Sequence, residues 1–248
     1  MQSTLEREFK ILVPKEEHRK TIAKVFDEGT IHTLHGLADN KYFEQLEFIV
    51  STGKEAHVFR ARGSANQYRA VKVYKTRTSD FKHMMDYIRG DNRFKTLKHE
   101  RYSIVKTWTR KEFKNLELAN QAKVKAPLPL TFKNNVLVME FIGEKGIAAP
   151  TLKEKPAQEP ENAFETVLKA MADLLYKSKL IHADLSEYNI LNQNEEMILI
   201  DMGQSVLTSH PRAKDFFERD IKNITHYFQR QGVQTSMEEA KKTIKQFK

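Results

Sequence analysis

The sequence predicts an α+β fold of two lobes, with most strands in the first half and most helices in the second. β-rich runs lie between residues 48 and 75, and helical patterns dominate after one short apolar crossing at residues 139–143. At 248 residues, the chain is long enough for each lobe to bury a core of its own. The predicted boundaries are 1–45 for N-terminal helices packed on the rest, 46–142 for the first lobe and 143–248 for the second lobe.

The composition excludes several classes of protein. There are no cysteines, which removes disulfides, thiolate metal sites and cysteine nucleophiles and fits a reducing compartment, so we expect the cytoplasm. No run of about 18 apolar residues is present, so we expect no membrane partner, and the start, MQSTLEREFKILV, lacks the pattern of a signal peptide. Lysine and arginine exceed acidic residues by 42 to 33, a net charge of +9. That excess indicates either an ordinary basic surface or a polyanionic partner, RNA or a nucleotide.

The elements of the first half follow from local patterns. Apolar spacing between Val25 and Ala38 predicts helices, with Thr30 as a possible cap of the second one. Two β-rich runs follow, joined by a Gly-Ser-Ala-Asn turn. Residues 76–103 are rich in charge, and we predict a mobile, mostly irregular insertion there. A helix over about 106–123 and a hairpin that turns at Asn134-Asn135 complete this half.

The sequence of the second half predicts a proline-containing loop followed by an amphipathic helix over residues 163–180. A short hairpin is expected next, with strands at 190–192 and 197–200 around the turn sequence QNEE. Two helices close the chain. The last of them has Ser236 and Glu239 at the spacing of a capping box.

Three polar residues stand at the edges of the short apolar runs in LIHADLSEYNILNQNEEMILIDMG. Asn189 directly precedes the first strand of the hairpin and Asp201 directly follows the second, so pairing brings those ends together, and one loop can direct Asp184 to the same point. Two carboxylates and an amide suit Mg²⁺, which takes further ligands from water and substrate phosphates. Each residue alone could simply cap a turn. The set H-x-D-x-x-x-x-N, followed by D-x-G after an apolar strand, is similar to the catalytic and metal loops of protein kinases.

A lysine and a glutamate in the first half are candidates for a phosphate site. Lys72 alternates with Val71 and Val73 in the strand sequence AVKVYK, so it faces away from them and needs an anionic partner. That partner is either a nucleotide phosphate or a helix glutamate. Glu112 shares the apolar helix face of Trp108 and Leu116, and we favour it over Glu117, which lies nearer the side of Phe113.

The turn sequence STGKEA, residues 51–56, stands where a phosphate-covering loop is expected. It is not a Walker A loop, because Phe48 stands at the position of the first glycine and Glu55 follows the lysine. It is not the kinase G-x-G-x-x-G loop either, because it contains one glycine.

The exact residues of five short segments indicate a protein family more specifically than these general patterns do. STGKEA, VFDEGTI, MEFIG, HADLSEYNIL and IDMGQSV together resemble the type-one subfamily of the RIO atypical serine kinases, over roughly Val25 to Gly232. The resemblance implies a two-lobed, protein-kinase-like RIO fold with extra N-terminal helices. It also implies ATP with Mg²⁺ or Mn²⁺, serine autophosphorylation or ATPase activity, and a role in maturing the small ribosomal subunit through its precursor and rRNA.

The resemblance implies a role for each matching residue. Lys72 would hold the α- and β-phosphates and pair with Glu112, and Asp184 would be the catalytic aspartate. Asn189 and Asp201 would bind the metal, and Asp201 could also accept the phosphoryl group. The other nucleotide-binding positions are Ser51 and Lys54 over the phosphates, Glu140 and Ile142 at the adenine edge, Met139 at the back of the pocket, Val58, Ala70 and Ile200 around the ring, and Glu187.

Two departures from ordinary protein kinases bear on the activity. Ser186 stands where those enzymes have a lysine two residues after the catalytic aspartate; RIO proteins share this change, and it predicts slow phosphoryl transfer. No A-P-E sequence follows Asp201, so no ordinary activation segment for peptides is expected. ATP hydrolysis used as a conformational switch therefore stands beside protein phosphorylation as an interpretation.

Two other functions remain open at this point. Small-molecule phosphotransferases of the aminoglycoside or choline kinase type share the H-x-D-x-x-x-x-N pattern, but they need a larger acceptor lobe and acidic residues for cationic substrates. A non-catalytic RNA-binding scaffold would account for the net charge, and the basic residues of 76–103 would then contact RNA rather than cover the nucleotide.

Overall fold

The computed structural model describes residues 12–13, 26–64, 67–76, 81–94 and 100–248. The helices expected over residues 1–11 and 14–25 lie outside the described residues. The chain divides into two compact units, each drawn from separate stretches of sequence. The first comprises Met1–His83, Leu97–Phe113 and Pro129–Ala148, and the second comprises Met84–Thr96, Lys114–Leu128 and Ala149–Lys248.

The first unit contains a five-stranded antiparallel sheet. Its strands are β1 (Gln45–Thr52), β2 (Ala56–Arg62), β3 (Tyr68–Tyr74), β4 (Pro129–Lys133) and β5 (Val136–Glu140), in the spatial order β1-β2-β3-β5-β4. The hairpin between β4 and β5 turns at Asn134-Asn135, as predicted, and Asn134 adopts φ 54°, a conformation that asparagine tolerates well. A two-residue hairpin, β6 (Gly143–Glu144) and β7 (Ile147–Ala148), follows β5.

Strand alternation gives the sheet one apolar face and one mixed face. Val71 and Val73 of β3 belong to a core cluster with Leu34 and Leu37 of helix α1 (Glu28–Asp39). Lys72 occupies the other face. Asp27 rather than Thr30 caps α1, because its carboxylate accepts a hydrogen bond from the backbone N–H of Thr30 at 2.8 Å; the prediction of a Thr30 cap is wrong by one helical turn.

The segment 76–103 has more regular structure than its composition predicts. Helix α2 (Phe81–Ile88) buries Met84, Met85, Tyr87 and Ile88, and a 3₁₀ turn follows over Asn92–Phe94. Helix α3 (Arg101–Gln121) begins about five residues before the predicted start. The expectation of irregular structure is therefore wrong for residues 81–94. The apolar side chains of α2 share one face that becomes buried, which composition alone does not reveal.

The second unit is mainly helical, as expected. Its helices are α4 (Pro160–Lys177), α5 (Ala213–Arg230) and α6 (Met237–Gln246), and its short strands are β8 (Leu180–Ile181), β9 (Ile190–Gln193), β10 (Glu196–Leu199) and β11 (Val206–Leu207). β9 and β10 form the predicted antiparallel hairpin, and β8 pairs with β11. Ser236 caps α6 through the backbone N–H of Glu239. Across the described residues, no helix combines the length and apolar character that a membrane span requires.

Candidate functional site

The first unit contains the ion pair that strand and helix periodicity predict. Lys72 Nζ lies 2.8 Å from Glu112 Oε1, and the side chains are 8% and 1% exposed. Charges so far from water are stable only when they are paired and hydrogen-bonded. The pair therefore fixes the position of the Lys72 ammonium at the surface of the sheet.

The register of the sheet places several predicted nucleotide-binding residues on the face of Lys72. Val58 stands opposite Lys72, and Ala70 stands opposite Met139. Residues directly opposite each other in an antiparallel pair lie on the same face, as do residues two apart on one strand. Val58, Ala70, Lys72 and Met139 thus form one continuous surface, while Val71 and Val73 face the core. Their roles towards a nucleotide stay predictions.

The predicted phosphate-covering turn connects β1 and β2. Its exposed residues include Ser51 and Lys54. The backbone of Gly53 is held on both sides, because its N–H bonds to Ala56 O at 2.9 Å and its carbonyl accepts from Lys75 Nζ at 2.8 Å. This turn therefore has a defined backbone, with Lys54 at its exposed tip and Ser51 near the end of β1, opposite Val58.

The predicted adenine-edge residues stand at the end of β5. Glu140 closes that strand, and Ile142 precedes the β6–β7 hairpin. The guanidinium of Arg60 lies 4.2 Å from the ring centroid of Phe48 and 4.5 Å from that of Tyr68, and it donates to the carbonyl of Gly146. Gly146 has φ 78°, and a Cβ there would collide with Arg60. Arg60 thus fastens the hairpin that follows Ile142, a role that sequence analysis missed.

Tyr74 is a further residue that sequence analysis missed. Its hydroxyl donates to Glu112 Oε2, so the two carboxylate oxygens of Glu112 accept from two different donors, Lys72 and Tyr74. Asn135 Nδ2 donates to the carbonyl of Tyr74 at 2.9 Å and to Thr30 Oγ1 at 3.0 Å. A signal was available in the sequence, since Tyr74 is two residues after Lys72 on the same strand face.

In the second unit, the loop after β8 holds Asp184 beside Asn189. Asp184 Oδ2 accepts from Asn189 Nδ2 at 3.2 Å and from Gln204 Nε2 at 3.0 Å. Asn189 Nδ2 also donates to the carbonyl of Asp184 at 2.8 Å. The predicted proximity of Asp184 and Asn189 is present, and Gln204 is an additional donor that no sequence pattern indicated.

Helix α5 holds the same loop through three polar side chains. Asp220 accepts from the backbone N–H groups of Ala183 and Leu185 at 2.7 and 2.9 Å. Arg219 donates to the carbonyl of Ala183, and Asn223 donates to that of Leu185 at 3.2 Å. Every backbone polar group named here flanks Asp184. These bonds stabilise Ala183 at φ 66°, a left-handed conformation that is uncommon for alanine.

The carboxyl of Asp220 is almost completely buried, and this burial raises its pKa to about 7. The two backbone N–H donors and the nearby Arg219 act in the opposite direction and favour the ionised form. Its position was detectable in principle, since Asp220 lies on the helix face of Phe216 and Ile224, where an acidic residue needs a partner.

Asp201 lies in a turn that hydrogen bonds connect to the Asp184 loop. The N–H of Ile200 donates to Asn189 O at 3.0 Å, and the carbonyl of Ile200 lies 3.0 Å from His182 Nε2. Asp201 is exposed and has φ 60°. The turn that carries Asp201 is therefore adjacent to Asn189, as the predicted hairpin pairing requires.

The donor set in this unit fits a hard divalent cation that brings other ligands with it. Among the described residues, no group of three or more histidine, cysteine or acidic side chains could hold a metal alone. Asn189 uses its amide nitrogen for both hydrogen bonds, which leaves its carbonyl oxygen Oδ1 for a metal. An amide oxygen and one or two carboxylates suit Mg²⁺, which usually completes its octahedron with waters and phosphate oxygens.

Glu187 has a structural partner in this unit. Its side chain accepts from Arg230 Nη2 at 3.0 Å, and its backbone carbonyl accepts from the N–H of Lys153 at 3.0 Å. The ion pair ties the Asp184 loop to the last turn of α5. Its predicted contact with a nucleotide stays a prediction.

Comparison with known proteins agrees with these observations. The sequence model of the RIO domain matches residues 57–242. A Methanocaldococcus jannaschii protein named RIO-type serine/threonine-protein kinase Rio1 is 42% identical over 240 residues, which cover 97% of this chain and 81% of that protein. The protein of the same name from Haloferax volcanii is 40% identical over 225 residues, covering 91% and 77%.

Solved structures agree on the fold. The Rio2 kinase–ADP/Mg²⁺–phosphoaspartate complex from Chaetomium thermophilum is similar with a TM-score of 0.65 and 21% identity, over 86% of this chain and 66% of that one. The Rio2 kinase from the same organism is similar with a TM-score of 0.64. Both the predicted α+β kinase-like fold and the predicted family are confirmed: this chain belongs to the RIO family.

Proposed function

We propose that this protein is an ATP- and metal-dependent serine/threonine kinase of the RIO type that phosphorylates itself. The observation that carries the proposal is the Asp184 loop. There two amide donors hold a carboxylate, and Asn189 donates through its amide nitrogen, which leaves its amide oxygen for a metal. The names of the curated relatives, which are serine/threonine-protein kinases, support the same conclusion.

Each residue of the site has a role in this proposal. Asp184 accepts the proton of the attacking hydroxyl group, which is the task of the aspartate in kinase catalytic loops. Lys72, held by Glu112, binds the α- and β-phosphates. Asn189 and Asp201 hold Mg²⁺ or Mn²⁺, which when bound neutralises charge on the phosphates. Adenine occupies the surface of Val58, Ala70 and Met139, with hydrogen bonds to the backbone of Glu140 and Ile142. The other proposed nucleotide contacts are Ser51, Lys54, Glu187 and Ile200.

ATP hydrolysis is the second candidate activity. Ser186 leaves the transferring phosphoryl group with one positive charge fewer than ordinary kinases provide, and a phosphoaspartate is named in the structure of the Rio2 relative. In that case a carboxylate oxygen of Asp201 would attack the γ-phosphorus and displace ADP. Water would then hydrolyse the aspartyl phosphate, which returns the carboxylate and releases inorganic phosphate.

Transfer of label from γ-labelled ATP to the protein tests the kinase proposal. We expect the wild type to become labelled on serine or threonine in the presence of Mg²⁺, and Asp184→Asn to lose labelling by at least about 100-fold. Asp215→Asn, which changes an exposed aspartate at the start of α5, should label normally. Unchanged labelling of Asp184→Asn would show that another residue is the base, and transfer to an aminoglycoside instead of the protein would favour a small-molecule phosphotransferase.

A thermal-shift titration tests the cofactor. ATP with Mg²⁺ should raise the melting temperature more than ATP with EDTA, because a ligand that binds only the folded state stabilises it by mass action. The control is Asn189→Leu, which should keep the metal-independent part of the shift. An ATP shift that does not depend on metal would contradict metal dependence.

The proposed partner is the precursor of the small ribosomal subunit, with the cytoplasm as the place of action. The net charge of +9 supports a polyanionic partner but does not identify it. Binding to small-subunit rRNA precursor should weaken steeply with salt and depend on the nucleotide bound. RNA binding whose affinity does not depend on ATP would favour a non-catalytic RNA-binding scaffold.

A further inference from the structure

The turn that carries Asp201 is held by a side chain far away in sequence. Asn115, which lies on α3 and is fully buried, donates through Nδ2 to the carbonyl of Met202 at 2.7 Å and to that of Ser205 at 2.9 Å. These two carbonyls belong to the residues on either side of Gly203-Gln204. Both hydrogens of the Asn115 amide are thus used to fix the turn directly after Asp201.

A second set of hydrogen bonds holds the side chain of Asn115 itself. Its Oδ1 accepts from Arg93 Nη2 at 2.9 Å, which fixes the orientation of the amide. Arg93 in turn donates to both carboxylate oxygens of Asp91, with Nη2 to Oδ2 at 2.7 Å and Nε to Oδ1 at 2.9 Å. The Asp91 side chain is fully buried in this ion pair. Asp91, Arg93 and Asn115 therefore form one connected polar network that ends at the Asp201 turn.

The backbone of Asp201 is held by hydrogen bonds on both sides. With φ 60°, Asp201 is in the left-handed region, which is uncommon for non-glycine residues although aspartate adopts it more readily than most. On the N-terminal side, Ile200 is held by Asn189 and His182. On the C-terminal side, the bonds from Asn115 supplement a turn bond from Ser205 N to Met202 O at 3.2 Å. The direction of the Asp201 carboxylate depends on both sides.

We propose that Asn115 is a positioning residue for Asp201, and that Asp91 and Arg93 keep Asn115 in the orientation this task requires. The inference rests on the proposed function of Asp201 as a metal ligand. It assigns to Asp91 and Arg93, within the 76–103 segment, a role in the metal site, in place of the RNA contact considered for Arg93. Residues that orient metal ligands typically change metal affinity by about 10- to 100-fold when they are replaced.

The test measures Mn²⁺ binding directly, by the loss of the free-ion EPR signal, in the full chain saturated with a non-hydrolysable ATP analogue. Asn115→Leu keeps a similar volume but removes both donors, and its Mn²⁺ midpoint should rise by about 10- to 100-fold. Arg93→Met leaves Asn115 in place but releases its orientation, so the midpoint should rise by a smaller factor. Affinity for the analogue in EDTA should stay at the wild-type value for both variants.

The matched control is Asn120→Leu. Asn120 lies on the same helix and also donates to two carbonyls, Leu116 O at 2.9 Å and Pro127 O at 3.2 Å, but neither belongs to the Asp201 turn. This variant loses equivalent bonds, so its melting temperature should fall while its Mn²⁺ midpoint stays unchanged. Saturating Mn²⁺ should restore labelling activity in Asn115→Leu, since the metal ligands themselves are intact.

The outcomes separate this inference from the proposed function. If the wild type shows no nucleotide-linked Mn²⁺ binding, the proposed function fails and the inference fails with it. If the wild type binds Mn²⁺ and both Asn115→Leu and Arg93→Met bind it with the same midpoint, the inference alone is overturned. If Asn115→Leu does not fold, the double variant Asp91→Asn/Arg93→Met decides, because it releases the orientation of Asn115 without leaving a buried carboxylate that has lost its cation.

Discussion

The buried ion pair between Lys72 and Glu112 allows a prediction whose size follows from the structure. Lys72→Met would remove the ammonium group and leave the carboxylate of Glu112, 1% exposed, without its cationic partner. An uncompensated charge at such a position typically costs about 3–5 kcal/mol. Glu112→Leu would remove the carboxylate that the buried Lys72 ammonium contacts at 2.8 Å. Each single variant should therefore lose about 3–5 kcal/mol of unfolding free energy.

The double variant Lys72→Met/Glu112→Leu should be more stable than either single variant. It removes both charges together, and apolar side chains of similar size replace a buried ion pair at little cost. The double variant still loses one hydrogen bond, because the hydroxyl of Tyr74 donates to Glu112 and would no longer have that acceptor. A buried donor without its partner costs about 1–3 kcal/mol. Adding Tyr74→Phe should recover most of that amount.

Urea unfolding followed by tryptophan fluorescence measures these differences. The chain has a single tryptophan, Trp108, which is 1% exposed and lies one helical turn before Glu112. The control is Lys114→Met with Glu117→Leu, which removes an exposed ion pair of 2.6 Å on the same helix and should show a coupling of at most about 1 kcal/mol. A coupling between Lys72 and Glu112 no larger than in this control would refute the reasoning.

Three further changes have defined outcomes. Gln204→Leu removes one of the two amide donors on Asp184 and should lower turnover by about 10- to 100-fold with little change in the KM for ATP. The control is Gln229→Leu, which changes an exposed glutamine on α5. Equal kinetics in the two variants would contradict the positioning role of Gln204. Asp220→Asn should lose more unfolding free energy relative to wild type at about pH 5 than at about pH 8. The reason is that the pKa of Asp220 is about 7 in the folded state and about 3.9 in the unfolded state, so the wild-type unfolding free energy falls as the pH rises between these values. A difference in unfolding free energy between variant and wild type that does not change with pH would show that burial does not raise this pKa. Arg60→Met should lower the unfolding free energy by about 1–2 kcal/mol in thermal melts, because it removes the bond that holds the β6–β7 hairpin. Arg62→Met, which changes an exposed arginine, should have little effect. Similar losses in the two variants would argue against the contact between Arg60 and the hairpin.

The parts of the site that could be predicted depend on short-range periodicity. Alternation along β3 placed Lys72 opposite to Val71 and Val73, and helical spacing placed Glu112 on the buried face of α3. The hairpin of β9 and β10 brought Asn189 next to the Asp201 turn for the same reason. In each case the information lies within a few residues, where backbone geometry alone determines the direction of a side chain.

The parts that could not be predicted depend on partners distant in sequence. Helix α2 was expected to be irregular because its segment is rich in charge, but its four buried side chains show that packing overrides composition there. Asn115 is 87 residues from Met202, and Asp220 is 37 residues from Ala183. No local pattern indicates which backbone groups such polar side chains will meet.

The amino-acid sequence by itself determined the family, through the residues of five short segments. It also determined which charged residues lie on which face of the sheet and of helix α3, because strand and helix periods convert residue order directly into faces. Only the tertiary structure decided which hydrogen bonds hold those residues in place, such as Asp220 on the Asp184 loop and Asn115 on the Asp201 turn. Those bonds join backbone and side chains that come together after packing, and their energy exists only once water has been removed from both partners.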